Sequence, residues 1–188
     1  MGSVTTVAPS VTAMPNPSAG GTTSPTLSTH STELGAQGSN AAAPASLSIP
    51  RLKVRVSPTP TGLASDNRSL ALPESAGTVV WWAYGATPGS ATGTVLLAGH
   101  ISWAGRVGEL SRIGTLRVGD PIDITRRDGT LERYAVVGRR QVPKASLDDL
   151  GLFRKGGPAR LVLVTCGGRY DAARHSYEDN VVVQARPV

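Results

Sequence analysis

One cysteine, Cys166, and three histidines, His30, His100 and His175, are the side chains best suited to nucleophilic and proton-transfer chemistry in this chain. With no second cysteine, an intrachain disulfide is excluded. Cys166 ends the apolar run Leu161-Val162-Leu163-Val164-Thr165 and is followed by Gly167-Gly168. A thiol at such a junction is either a small buried hydrophobe or a nucleophile. The nucleophile reading needs a base or a cation, because the thiolate is the reactive form. His30 lies in a polar tail, and His175 reads as a solvated loop residue. His100 follows a second apolar run, Val95-Leu96-Leu97-Ala98-Gly99. Two reactive groups at the ends of two apolar segments are what a β-scaffold needs to hold a catalytic pair rigidly. A histidine that merely caps a strand fits the same spacing, so spacing alone leaves both readings open.

An acyl-transfer site also needs a donor for the oxyanion, either backbone N–H groups or a fixed cation. Arg169 and Arg174 follow the cysteine closely, whereas Arg186 lies past the last apolar segment and reads as surface. One cysteine and scattered histidines lack zinc-site spacing, and no acidic cluster resembles a calcium loop. Gly156-Gly157 and Gly167-Gly168 lack the context of a phosphate loop. No metal and no cofactor is expected.

The elements that must position these groups read as short strands between turns. Segments 51–56, 78–83, 94–98, 121–125, 131–137, 161–165 and 180–185 carry alternating or continuous β-branched and aromatic residues. Asp128-Gly129 is a hairpin signal between two of them. Gly167-Gly168 read as a turn. Helical signals are confined to 109–116 and 146–152, the second with Ser146 as N-cap and Asp148-Asp149 in its first turn. The pattern predicts an all-β barrel or sandwich.

Residues 1–48 hold a single Asp, Glu, Lys or Arg, Glu33, and no aromatic residue. Their Ser, Thr, Ala, Pro and Gly cannot bury enough apolar area to offset the entropy of ordering, so they are expected to form a disordered linker. Met1-Gly2-Ser3 reads as a cloning remnant ahead of a truncated chain. All 19 basic residues fall after it, from Arg51 onward. That part carries a formal charge of about +7, which favours anionic surroundings. A genome rich in G and C explains the same arginine surplus. No apolar stretch approaches the ~20 residues needed to span a bilayer.

Leu97-Ala98-Gly99-His100, Gly108-Glu109-Leu110, Leu116, Gly119-Asp120, Leu163-Val164-Thr165-Cys166-Gly167-Gly168 and Tyr177-Glu178-Asp179-Asn180-Val181-Val182-Val183 together resemble a sortase. Ile49-Pro50 and Trp81-Trp82 suit class F, the group typical of high-GC Gram-positive bacteria. The resemblance covers residues 49–188 and implies a single catalytic domain there. Its fold would be a closed eight-stranded β-barrel with one or two short helices, a monomer on the extracytoplasmic face of the membrane. An N-terminal helix absent from this chain would anchor it, with residues 1–48 as spacer.

The implied activity is that of a cysteine transpeptidase. Cys166 would attack a C-terminal sorting signal of LPXTG type on a surface protein and form a thioacyl intermediate. An amine, usually on a peptidoglycan precursor, would resolve it, with His100 as general acid and then base. Thr165 and Gly167 would contact substrate. The family's catalytic arginine has no match, because its position is Glu178. Arg174 is the first replacement and Arg169 the second. Leu72-Pro73-Glu74-Ser75-Ala76-Gly77 begins like a sorting signal but reads as a loop. An L,D-transpeptidase is the competing enzyme reading, although it would place His-Gly before the cysteine, where Val164-Thr165 stand. A basic β-module binding wall polymer is the non-catalytic one. Binding to nucleic acid is not expected, since aromatics interleaved with arginine are lacking.

Overall fold

The computed structural model describes residues 40–188. The expected linker up to residue 39 therefore lies outside the described residues. The folded part begins earlier than the expected boundary at 49, because Pro44–Ile49 already forms a strand, β1, with Leu47 and Ile49 fully buried. Pro50–Leu52 then makes a single 3-10 turn, ended by Lys53 in the left-handed region. The expected strand over 51–56 is thereby shortened to β2, Val54–Val56.

Strands β3 (Thr59–Thr61), β4 (Val79–Trp82) and β5 (Thr94–Gly99) follow. A small ribbon of β6 (Ser102–Trp103) and β7 (Arg106–Val107) comes next. Then come β8 (Pro121–Arg126), β9 (Leu131–Pro143), β10 (Arg160–Asp171) and β11 (Ser176–Pro187).

Apart from the ribbon, the strands form one nine-stranded sheet in the order β2-β1-β8-β9-β11-β10-β5-β4-β3. The expectation of a closed eight-stranded barrel is corrected: β2 and β3 end the sheet without pairing to each other, so it curls without closing. The all-β class holds. The helical content of the described residues is short, single 3-10 turns at Ile113–Thr115, Lys144–Ser146 and Asp148–Leu150, besides the one at Pro50–Leu52. Ser146 caps nothing, since the last of these turns starts from Leu147 without a side-chain bond.

The central strands bury both faces, and their period-2 alternation sorts side chains into two clusters. Trp81, Val95, Leu97, Leu161, Leu163 and Val183 join the larger cluster, which draws on strands across the sheet and fills the inside of the curl. Val80, Trp82, Leu96, Ala98, Val162, Val164 and Val182 form the smaller one on the outer face. Leu152 and Phe153, from the segment between β9 and β10, pack over it, with Phe153 edge-on to Trp82 at 5.0 Å. Each fully buried leucine in these clusters contributes roughly 1.5–3 kcal/mol relative to exposure. Burial on both faces fixes the strand register, because a one-residue slip would exchange the two sets.

Candidate active site

Strands β5 and β10 are parallel neighbours, paired from Thr94 with Arg160 to Ala98 with Val164. Continued two residues, that register sets Cys166 level with His100. Both follow the alternation of the outer-face set, Leu96 and Ala98 on one strand, Val162 and Val164 on the other. Adjacent strands lie ~4.8 Å apart, so the fold brings thiol and imidazole to one end of one face. The buried Thr165 hydroxyl donates to the Gly99 carbonyl at 2.8 Å and ties the two strand ends together.

Thr165, expected to contact substrate, is 2% exposed, and its hydroxyl is spent on Gly99. Gly167 is buried and paired with Asp179, and a Cβ there would come within 2.6 Å of Val181. Its smallness serves packing between β10 and β11. The two glycines do not turn the chain. Gly168, at φ +74°, lies where the pairing register shifts, and β10 runs on to Asp171. The bulge leaves Cys166 half-buried, at the edge of a cavity of about 660 Å³.

His100 lines the same cavity. Its Nε2 lies 3.0 Å from the Pro73 carbonyl. A carbonyl can only accept, so this nitrogen carries a proton, and Nδ1 is the position left for exchange. The Trp103 ring stands 4.9 Å from the imidazole, tilted by 40°. The residue after Leu72 in the signal-like stretch thus holds the histidine, and the stretch is loop, as expected. Gly108 supports the backbone behind it. Its N–H donates to the Ile101 carbonyl at 2.8 Å, and a Cβ there would lie 1.8 Å from the His100 carbonyl oxygen.

Neither expected arginine reaches this cavity. Arg174 sits between β10 and β11, its side chain 85% exposed and 3.6 Å from Asp171. Arg169, 80% exposed, donates through Nε and Nη2 to Glu178 at 3.2 and 2.9 Å, bonds that hold its guanidinium above the ordinary value. Each is satisfied by a nearby acid and turned to solvent. Two other residues line the cavity instead: His175, read from sequence as merely solvated, and Lys144, whose ammonium donates to the Ser176 hydroxyl at 2.6 Å. The place of Lys144 depends on how β9 pairs with β11, and that of His175 on the connection from β10 to β11.

A family model for the sortase domain matches residues 47–188. Among solved structures, sortase C-1 from Actinomyces oris aligns with a TM-score of 0.61 at 17% identity, over 89% of this chain and 85% of that one. A Clostridium perfringens sortase D5 transpeptidase gives 0.57 at 20% identity, over 78% and 79%. Sortase A from Corynebacterium diphtheriae gives 0.56 at 21% identity, over 78% of this chain. The chain spans 60% of that protein and 64% of sortase C1 from the GBS pilus island 1. No curated protein matches the sequence.

Proposed function

Because the chain belongs to the sortase family, we propose that it cleaves a C-terminal sorting signal of LPXTG type and transfers the upstream protein to an amine of the cell wall. The observation that carries this reading is the parallel register that levels Cys166 with His100 on one face. The Cys166 thiol gives its proton to His100 Nδ1 as Sγ attacks the scissile carbonyl; a carbon–sulfur bond forms, and the carbonyl electron pair moves onto oxygen. Collapse breaks the carbon–nitrogen bond. His100, with Nε2 held by Pro73, passes a proton from Nδ1 to the leaving amine. The incoming amine attacks the thioester and gives its proton to His100 Nδ1; the carbon–sulfur bond then breaks, and Sγ leaves with that proton as the free thiol.

Class F membership within the family is supported by Ile49-Pro50 and by Trp81-Trp82 ahead of the histidine. Work at the outer face of the membrane, on surface proteins and a peptidoglycan-type amine, follows from the same family reading. No helix among the described residues is long and apolar enough to cross a membrane. The L,D-transpeptidase and wall-binding readings draw no support from the family match.

The test is turnover of a fluorogenic sorting-signal peptide library, with and without an added amine. Amine-dependent transfer of at least one LPXTG-type peptide is expected; no turnover of any peptide contradicts the reading. In that assay Gly108→Ala is expected to lose about 100-fold in kcat, because the new methyl must displace the backbone of His100 by roughly an ångström. Circular dichroism should still show the β fold. Turnover within about threefold of wild type would show that the His100 backbone tolerates the shift.

A further inference from the structure

Acyl transfer through Cys166 places negative charge first on sulfur and then on the carbonyl oxygen, in a cavity whose cations decide how well that charge is held. Arg169 and Arg174 are bound to Glu178 and Asp171 and point to solvent. Lys144 is the one ammonium or guanidinium among the described residues lining the cavity, and none of the residues lining it is acidic. It is placed there by the sheet: β9 ends at Pro143, paired with Asp179, and the chain then enters the 3-10 turn that begins at Lys144.

The carboxylates nearest along that pairing are engaged elsewhere. Asp179 accepts from Gln141 Nε2 at 2.7 Å, and Glu178 accepts from Arg169. The partner that Lys144 does have is the neutral hydroxyl of Ser176. That bond leaves the ammonium with two further donors and an uncompensated charge.

We infer that Lys144 is the cation of the Cys166 site, donating to the oxyanion of the tetrahedral intermediate, with Ser176 holding it in position. The inference rests on the transpeptidase reading for its chemistry, but its electrostatic part can be measured apart from it. The Glu178–Arg169 pair then has a structural meaning. An acid in the strand after the cysteine is neutralised from outside the cavity, and the working charge comes from the end of β9.

Two readouts on the same variants test this. In the peptide assay, Lys144→Ala should lower kcat by about 100-fold with a much smaller change in KM. Lys144→Arg should recover most of the loss, while Arg169→Ala and Arg174→Ala stay within about threefold of wild type. Separately, the ratio of Cys166 alkylation rates by anionic iodoacetate and neutral iodoacetamide reports the local charge. Lys144→Ala should lower that ratio about fivefold, and the arginine variants should not. Lys144 is exposed, so its replacement does not threaten the fold.

An unchanged alkylation ratio overturns the assignment even if kcat falls, because the lysine would then act through structure. A changed ratio with kcat unaltered also overturns it, since the charge would be present but unused. Should wild type turn over no peptide at all, the transpeptidase reading fails, and the alkylation ratio alone decides whether Lys144 is the cation facing the thiol.

Discussion

Cys166→Ala is expected to reduce peptide cleavage and amine transfer by about 10⁴-fold or more, to the level of the uncatalysed background. The substitution removes one sulfur from a half-buried position and leaves no buried polar group unpaired, so the fold should survive with little change in melting temperature. The loss falls on the chemical step alone. Peptide binding should persist, measurable by fluorescence polarisation at near wild-type affinity. Binding lost together with turnover would instead point to a folding defect. Cleavage retained would mean that the chain hydrolyses peptides by another route.

His100→Ala is expected to lower kcat by about 10²- to 10⁴-fold, the range typical of a positioned proton carrier. Alanine also deprives the Pro73 carbonyl of its donor, so loop movement could mimic a chemical defect. His100→Gln separates the two. Its amide can still donate to Pro73 but cannot shuttle a proton, so it should hold the loop and be as inactive as the alanine variant. Recovery in the glutamine variant would reassign His100 from proton carrier to strut. His175, in the same cavity, would then be the remaining imidazole to carry the proton.

Much of this arrangement is legible in the sequence because it depends on local pattern. The runs at 94–98 and 161–165 are apolar on successive residues, as strands buried on both faces must be, and they become β5 and β10. Their parallel pairing is not legible, since it joins residues 66 positions apart, a separation that no turn signal encodes. Strand β1 is hidden for a different reason. Its buried residues are Pro44, Leu47 and Ile49, and they sit in a stretch with the composition of the tail.

The second half of β9 carries Arg139, Arg140 and Gln141. It is held by backbone pairing to β11 rather than by side-chain burial, so a hydrophobicity pattern stops short of it. The outward placement of the two arginines has a signal in the sequence: Asp171 lies three residues before Arg174, and Glu178 lies across the hairpin from Arg169. A cation beside its own acid is an unpromising anchor for a transient charge.

The central claim is that Cys166 carries the acyl group, and mass spectrometry tests it most directly. The protein is mixed with an LPXTG-type peptide without amine, quenched in acid and digested. The account predicts a thioester on the peptide that contains Cys166, with the mass of the signal's N-terminal part up to its threonine. Added amine or hydroxylamine should discharge it, and it should be absent from Cys166→Ala. Cleaved peptide with the Cys166 fragment unmodified at every time point would contradict the account.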